Sequence, residues 1–356
     1  MDWVLIVSAL LLTGIGLLSL YSSSIGKQDF SNFNKQIIFL GIALFLMFLF
    51  SFLDYRILRN DPCLILILYL ICVSALAGLF LFAPEIRGIK SWYKIGPVSF
   101  DPIEATKLIL IILLAKYFSM RHVEMYKVKH IFLSGVYLLI PCALIFAQPD
   151  LGSAIILIAL WVGILLVSGI KISHFLILIF CGILTLTFCW LFLLKDYQKD
   201  RIISFTSPQI EPLGIGWNQA QSKIAIGSGG IWGLGFAKGS QTQYGFLPES
   251  QTDFIWASIA EEFGLFGVSI IFLLFIILLY RVLKIAFTSK TNFPRLFASG
   301  FAIILVSQIF INIGMNLGIL PIIGISLPLI SYGGSSLICT FIAFGVLQNI
   351  RITHIT

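Results

Sequence analysis

Windows of about 20 consecutive apolar residues recur along the whole chain, and each is long enough to cross a bilayer as an α-helix. Hydrophobic residues make up 59% of the 356 residues and charged residues only 11%. A soluble domain usually has about 25% charged residues. The sequence therefore predicts an all-α, polytopic integral membrane protein, with residues 1–356 forming a single transmembrane domain.

We count ten apolar spans, and polar or Pro/Gly-rich stretches separate them. Their predicted boundaries are 4–21, 36–53, 62–82, 103–120, 130–147, 152–169, 174–194, 254–280, 297–315 and 333–350. Because this number is even, both termini should lie on one side of the membrane. The start of the chain has neither a basic region nor a cleavage site, so we expect the first span to be retained rather than removed as a signal.

The charges of the connections predict which side is which. Three short connections on the same side are basic, namely 54–61, 121–129 and 281–295. By the positive-inside rule, this side and both termini are cytoplasmic. Two outer connections stand out: 83–102, and the long polar segment 195–253.

The outer side nevertheless carries almost as many basic residues as the inner side. Several of them lie in or beside the two outer connections, including Arg87, Lys94, Lys107 and Lys238. One interpretation is that loops near 60 residues escape the positive-inside rule. The other is a site for an anionic ligand at the outer surface.

Several familiar site types are missing from the sequence. The six cysteines lie in or at the edge of apolar spans and form no CxxC pair, so they indicate neither a disulfide framework nor a metal site. There is no HExxH or P-loop pattern. We expect no nucleic-acid partner.

The stretch "SFDPIEATK" (99–107) resembles a helix start. Asp101 fits the N-cap, Pro102 the first helical position and Glu104 the third. Lys107 follows Glu104 by three residues on the same helical face and could pair with it. Such a pair could orient a sugar or a phosphate, or it could be only structural.

The turn "QPDLGS" (148–153) precedes the sixth span. Asp150 would cap that helix after a Pro turn. Capping alone explains this aspartate, and a role in binding is the alternative.

The stretch "FLPESQTDF" (246–254) places Glu249 and Asp253 just before the eighth span. Ser250 and Asp253 fit a capping box, with Asp253 at the third helical position. A glycine-rich approach at 227–245 should let backbone N–H groups come close to a ligand. A partly desolvated Asp253 would suit a general base that takes a proton from a hydroxyl group.

The segment "NIGMNLGILPIIGISLPLISYGGSS" (312–336) interrupts a membrane span with Gly and Pro. Irregular backbone at membrane depth persists only where it is buried or lines a cavity. It could be a re-entrant loop that merely packs. Alternatively, polar side chains on it line the same cavity as Asp253: Asn312, Asn316, Ser331, Tyr332, Ser335 and Ser336.

Five segments, in order along ten spans, resemble the SEDS family (shape, elongation, division and sporulation) over nearly the whole chain. They are "GIKSWYKIGPVSFDPIEATK", "QPDLGSA", "QAQSKIAIGSGGIWGLGF", "FLPESQTDFIWASIAEEFGLFG" and "NIGMNLGILPIIGISLPLISYGGSS". The resemblance implies a peptidoglycan glycosyltransferase that polymerises lipid II. The opening span, with almost no tail before it, looks more like the elongation members of the family than the division members.

The resemblance also assigns residues. The essential aspartate of the family motif "LPExHTDF" falls on Asp253, and the acid and base of "QPSExxK" fall on Glu104 and Lys107. The chain departs from these motifs at three positions: Asp101 replaces the usual Gln, Ile103 the usual Ser, and Gln251 the usual His. These departures affect contacts near the outer mouth of the site.

The expected reaction follows from that assignment. Asp253 would deprotonate the 4-hydroxyl of an acceptor lipid II, whose oxygen attacks the anomeric carbon of an undecaprenyl-pyrophosphate-linked glycan with inversion. Lys107, Arg87 and Lys94 would stabilise the leaving pyrophosphate. Glu249 would bind substrate or hold the turn that aims Asp253. No cofactor is certain, and a divalent metal ion could assist.

The resemblance further implies a class B penicillin-binding protein as the transpeptidase partner, and a bacterial cytoplasmic (inner) membrane protein whose active site faces outward. A rival hypothesis is a flippase that carries lipid II across the bilayer. A flippase needs charges along a path to the cytoplasm, whereas here the acids cluster at the outer mouth, which favours an enzyme. A third hypothesis is a scaffold that only recruits a partner.

Overall fold

The computed structural model describes residues 1–84, 92–96, 98–121, 128–194, 199, 205 and 215–355. The helices are α1 (Trp3–Lys27), α2 (Ser31–Phe52), α3 (Arg56–Asn60), α4 (Pro62–Phe82), α5 (Pro102–Arg121), α6 (Val128–Ala147), α7 (Leu151–Val167), α8 (Ile172–Phe188), α9 (Ile215–Gly229), α10 (Ser240–Gln243), α11 (Ile255–Thr288), α12 (Asn292–Leu317) and α13 (Gly334–Ile355). A π-helix, Cys189–Leu193, continues α8. A hairpin of β1 (Tyr93–Ile95) and β2 (Val98–Phe100) precedes α5.

The predicted fold class is confirmed: the chain is an all-α polytopic integral membrane protein. Within the described ranges, eight helices are long and apolar enough to cross a membrane. Two more, α5 and α7, coincide with the fourth and sixth predicted spans. Helix α5 carries charged residues near both ends, and α7 has only 17 residues. Each predicted span therefore has a helix, although the boundaries differ by several residues.

Helix α12 lies at the centre of the bundle. Of its most apolar window, 72% is buried, and it packs against α5, α7 and α11. Small residues allow these close approaches, since packing rather than the hydrophobic effect holds helices together in lipid. A Cβ atom added at Gly300 would lie 3.0 Å from Ile164 of α7 and 3.1 Å from Ile111 of α5.

The hairpin lies within the connection 83–102, where the sequence predicted no strand. The strands are antiparallel, and Tyr93 faces Phe100 while Lys94 faces Ser99. The hydroxyl of Tyr93 donates a 2.6 Å hydrogen bond to the main-chain oxygen of Ala75 in α4. The hairpin is therefore attached to the membrane bundle just before α5 begins.

Helix α11 is longer than predicted and is interrupted. It runs over 34 residues, but Gly264 inside it has φ +65° and ψ −166°, which is not helical. The predicted span 254–280 covers both parts of the helix without revealing the break. This interruption is important for the site, because another segment of the chain occupies it.

Candidate active site

The stretch that contains Asp253 is a turn that precedes α11. Helix α11 begins at Ile255, and its N-cap is Phe254, which makes no side-chain capping bond. The predicted capping box is therefore wrong. Ser250 is buried, and its hydroxyl has no hydrogen-bond partner among the described residues. Asp253 lies outside the helix and is half-buried.

The main chain of Glu249 holds this turn together. Its carbonyl oxygen accepts hydrogen bonds from the amides of Thr252 at 3.1 Å and Phe254 at 3.2 Å. Glu249 has φ +43°, in the left-handed region that non-glycine residues seldom adopt. Its side chain is exposed. This geometry fits the interpretation in which Glu249 shapes the turn before Asp253.

Two buried asparagines of α12 fix the main chain of Asp253. The side-chain amides of Asn312 and Asn316 donate to its carbonyl oxygen at 3.0 Å and 2.9 Å. Asn316 also accepts from the amide of Ala257 in α11, at 3.2 Å. Both asparagines are fully buried. They therefore anchor the position of Asp253 from the centre of the bundle.

The segment 318–333 is irregular, as predicted, and it wraps around the turn. The Ser331 hydroxyl donates to the carbonyl oxygen of Thr252 at 2.7 Å and accepts from the amide of Leu327 at 2.8 Å. The amide of Tyr332 donates to the carbonyl oxygen of Gln251 at 2.9 Å. The Ser331 hydroxyl thus links the main chain of the Asp253 turn to that of its own segment. Tyr332, the next residue, is half-buried.

Gly324 brings this segment next to the carboxylate. A Cβ atom added at Gly324 would lie 3.6 Å from Oδ2 of Asp253. Gly324 has φ +74°, a conformation that glycine adopts without strain. The carboxylate therefore lies beside the irregular main chain at Gly324.

The start of α5 has the predicted cap. Oδ1 of Asp101 accepts from the amide of Ile103 at 2.9 Å, and Pro102 is the first helical residue. The amide of Asp101 donates to the hydroxyl of Ser335 at 2.9 Å. Burial of the Asp101 carboxyl, and then the negative charge of Glu104, raise its pKa to about 8.

The predicted pairing of Glu104 with Lys107 is confirmed. Nζ of Lys107 lies 2.7 Å from Oε1 of Glu104, and the two side chains are only 5% and 14% exposed. A charge buried at this depth is stable only when it is paired. The pair places a cation near the first turns of α5, at the end of the helix that Asp101 caps.

Asp150 lies close enough to Asp101 and Lys107 for its charge to act on both. Oδ1 of Asp150 accepts from the amide of Ser153 at 3.0 Å, so it caps α7 as predicted. Its negative charge also contributes to the raised pKa of Asp101. A Cβ atom added at Gly152 would collide with Ile325, which belongs to the segment beside Asp253. The start of α7 thus meets the irregular segment 318–333, and the start of α5 meets Ser335 in the first turn of α13, directly after that segment.

The remaining predicted site residues are more peripheral. Lys94 on β1 and Lys238 before α10 are exposed, and neither forms an ion pair with another residue of the described part of the chain. Arg87 lies outside the described residues. Asp253, Asp150 and Ser331 therefore lie in or beside the irregular segment 318–333, whereas the Glu104–Lys107 pair lies inside α5, whose start contacts Ser335 of α13.

The glycine-rich approach makes close main-chain contacts with α11 that the sequence did not predict. Gly233 and Gly264 come together main chain to main chain, and a Cβ atom on either would collide with backbone. The amides of Leu265 and Phe266 donate to the carbonyl oxygens of Gly230 and Ile231 at 2.9 Å and 3.1 Å. The glycines let 229–235 fill the break in α11, so this part of the approach packs against the helix.

Sequence reasoning did not assign a role to Glu261, which is fully buried in α11. Its carboxylate accepts from the amide of Gln241 at 2.7 Å and from the amide and hydroxyl of Thr242 at 3.0 Å and 2.7 Å. It therefore anchors the start of α10, just ahead of the Asp253 turn. Adjacent acids inside a membrane span were the available signal.

No group of three or more His, Cys, Asp or Glu that could hold a metal ion is found in the described ranges. Two cavities lie at the C-terminal ends of helices, one of about 530 Å³ at the end of α5 and one of about 200 Å³ at the end of α13. Neither contains Asp253, so the charged site at the Asp253 turn is distinct from them.

Asp253, whose main chain is anchored beside an irregular segment, and a buried lysine–glutamate pair at the start of α5 define a polytopic integral membrane protein with a charged site at one end of its bundle. A family model described as cell cycle protein, FtsW/RodA/SpoVE, matches residues 2–355. The chain therefore belongs to this family, which is the SEDS family.

Individual relatives agree with this assignment. The peptidoglycan glycosyltransferase MrdB of Escherichia coli (strain K12) is 40% identical over 292 residues, which cover 81% of this chain and 77% of MrdB. A chain of the solved structure "Structural coordination of polymerization and crosslinking by a peptidoglycan synthase complex" is 31% identical, with a TM-score of 0.84. The match covers 99% of this chain and 98% of that one. RodA of Thermus thermophilus, in its crystal structure, is 30% identical, with a TM-score of 0.72. The match covers 98% of this chain and 96% of RodA.

Proposed function

We propose that this chain is a peptidoglycan glycosyltransferase that polymerises lipid II into glycan strands at the outer face of the bacterial cytoplasmic membrane, during cell elongation. The names of the curated relatives support the reaction class. The arrangement around Asp253 supports the site. The observation that carries the proposal is the fixed position of Asp253, held from α12 by Asn312 and Asn316.

Asp253 acts as the general base. It takes the proton from the 4-hydroxyl of an acceptor lipid II, and the oxygen attacks the anomeric carbon of a glycan linked to undecaprenyl pyrophosphate. The bond from that carbon to the pyrophosphate breaks, with inversion. The carboxylate of Asp253 lies outside the helix and beside Gly324, and the acceptor hydroxyl would bind there. The two asparagines hold its main chain, so little reorganisation is needed at the moment of reaction.

The leaving pyrophosphate gains negative charge in the transition state, so a nearby cation lowers the barrier. Lys107 supplies that cation, and Glu104 fixes its position. Lys94, Lys238 and Arg87 guide the anionic substrate toward the site. Asp150, Ser331 and Tyr332 contribute to the polar wall of the binding site, and Glu249 shapes the turn.

The test is synthesis of glycan strands from purified lipid II by the full chain and by Asp253→Asn. We expect the substitution to abolish synthesis, because an amide cannot accept the proton. Asp29→Asn is the matched control, since Asp29 is an exposed aspartate in the connection after α1, and it should leave synthesis unchanged. Normal synthesis by a folded Asp253→Asn protein would exclude the base assignment. Transbilayer movement of lipid II without synthesis would instead support the flippase hypothesis.

We also propose a class B penicillin-binding protein as partner, supplying the transpeptidase activity. The solved synthase complex to which this chain is similar supports the pairing. The lipid II assay with and without the cognate transpeptidase tests whether the partner raises synthesis. Adding a chelator and then Mg²⁺ to the same assay tests the divalent metal ion, and loss followed by recovery would support its participation.

A further inference from the structure

A cavity of about 530 Å³ lies at the end of the bundle opposite Asp253. The turn between α3 and α4, the last turns of α5 and the start of α12 enclose it. Its lining includes Arg59, Lys116 and Asn292. Helix α5 begins at the site of Asp101 and ends at this cavity, so the cavity faces the side predicted to be cytoplasmic.

Lys116 is buried in an unusual way. It is 8% exposed, and its Nζ atom has no hydrogen-bond partner among the described residues. Lysines near helix ends usually extend their stems so that the ammonium group reaches water. A buried ammonium group without a partner is costly, and such groups inside membrane proteins are functional candidates.

The nearby acid does not satisfy Lys116 by a hydrogen bond. Asp61 lies close enough for its charge to act on Lys116. However, Oδ1 of Asp61 caps α4 by accepting from the amides of Cys63 at 2.9 Å and Leu64 at 3.2 Å. The hydrogen-bonding capacity of the Lys116 ammonium group therefore remains for a ligand.

Other donors converge on the same cavity. Arg59 is half-buried, and its Nε donates to Asn60 at 3.0 Å, while its terminal nitrogens have no hydrogen bond to another residue of the described ranges. Helix α12, which is 26 residues long, begins at Asn292, and its N-cap Thr291 makes no side-chain capping bond. The first amides and the dipole of a long helix favour an anion at this position.

We propose that this cavity binds a phosphate group, supplied either by the headgroup of an anionic lipid or by soluble phosphate. Two cationic side chains and a helix start provide charge-assisted donors. The apolar residues Pro62 and Met120 also line the cavity, at the ends of membrane helices where lipid headgroups lie. The site is independent of the reaction at Asp253, because it lies at the other end of the bundle.

The experiment follows the thermal unfolding midpoint of the purified full chain in phosphatidylcholine nanodiscs. One arm adds inorganic phosphate at constant ionic strength, and the other replaces part of the lipid with phosphatidylglycerol. The midpoint should rise in at least one arm, which identifies the source of the phosphate group. Lys116→Met should raise the half-maximal phosphate or phosphatidylglycerol level about tenfold or more.

Lys290→Met is the matched control. Lys290 is exposed beside the start of α12 but does not line the cavity, so its loss removes the same charge from the same end. It should leave the response within about twofold of the unchanged protein. Without phosphate or phosphatidylglycerol, Lys116→Met should unfold at a higher temperature than the unchanged chain, because it removes an unpaired buried charge.

An absent response in both arms, or an equal response in Lys116→Met, would overturn the proposal. A lower midpoint of Lys116→Met without ligand would also overturn it, because Lys116 would then be a structural residue. If Lys116→Met does not fold, Arg59→Gln replaces it and should show the same loss of response. An unchanged response of Arg59→Gln would count against the site.

Discussion

The side-chain amide of Asn316 donates a 2.9 Å hydrogen bond to the main-chain oxygen of Asp253. Asn316 is fully buried in α12, the central helix of the bundle, whereas Asp253 lies in a turn outside α11. The bond therefore ties the main chain of Asp253 to the buried core of the bundle. A second bond, from Asn312 at 3.0 Å, reaches the same oxygen.

Asn316→Leu should lower both stability and synthesis. It removes the bonds to Asp253 and Ala257. The oxygen of Asp253 keeps its bond from Asn312, whereas the buried Ala257 amide is left unpaired, at a cost of about 1–3 kcal/mol. Because Asp253 loses an anchor, synthesis from lipid II per folded molecule should fall about tenfold or more. Thermal unfolding and the glycan synthesis assay measure the two effects.

Asn349→Leu is the control for that substitution. Asn349 is a buried asparagine at the other end of α13, and it likewise binds main chain on both sides, at Ser51 (2.9 Å) and Tyr55 (3.0 Å). Asn349→Leu should lower the free energy of unfolding by a similar amount and leave synthesis per folded molecule unchanged. An equal loss of synthesis in both variants would show that the effect is not specific to Asp253.

Replacing Glu104 should be more harmful to stability than replacing the whole pair. Glu104→Leu leaves Lys107 buried without its partner at 2.7 Å, at a cost of about 3–5 kcal/mol. The double variant Glu104→Leu/Lys107→Met should recover most of the unfolding free energy, because two apolar groups of similar size replace the two charges. Thermal unfolding of the single and double variants checks the order.

The same variants separate stability from catalysis. If Lys107 stabilises the leaving pyrophosphate, the stable double variant should remain without glycan synthesis. A double variant that is both stable and active would show that the pair is only structural. The Lys107→Met single variant completes the cycle.

Gly233→Ala should destabilise the site region. Gly233 has φ +80°, and a Cβ atom there would collide with the main-chain oxygen of Glu262. We expect a loss of about 2 kcal/mol or more, with a parallel loss of folded, active protein. Gly227→Ala is the control, because Gly227 lies in α9 with open space around its Cβ position. It should be neutral or stabilising, and equal damage in both variants would contradict the packing role of 229–235.

Asp101 predicts a pH dependence of stability. The unfolded chain releases the proton of an aspartate near pH 3.8, whereas the folded protein keeps the pKa of Asp101 at about 8 because its carboxyl is buried. The folded state therefore binds more protons between these values, and its stability should fall as the pH rises from about 6 to about 8. Asp101→Asn, which can still cap α5, should flatten this slope in thermal unfolding.

Asp29→Asn provides the comparison for the pH experiment. Asp29 is exposed, and its pKa is lowered chiefly by a hydrogen bond from the amide of Ser31. Its contribution to stability is lost only at acidic pH, so this substitution should leave the slope between about pH 6 and 8 in place. A slope that survives in Asp101→Asn would assign it to another group.

Much of the fold and part of the site could be predicted from the sequence, because they depend on interactions between neighbouring residues. The ten spans follow from segment length and hydropathy. The caps by Asp101 and Asp150, and the pairing of Glu104 with Lys107, join residues at most three positions apart. Such contacts form wherever a helix forms, so spacing is sufficient to predict them.

The turn at Asp253 and the glycine-rich approach depended on distant partners. Ser250 and Asp253 have the spacing of a capping box, yet Asn312 and Asn316, some 60 residues later, draw the main chain of Asp253 out of the helix. The glycines near 230 pack against the main chain at Gly264, where α11 is interrupted. No local sequence pattern predicts this interruption. The sequence by itself determined the membrane helices and their local caps, because those follow from neighbouring residues. Only the tertiary structure decided how Asp253 is held, because its anchors come from a helix that packs beside it rather than one that precedes it.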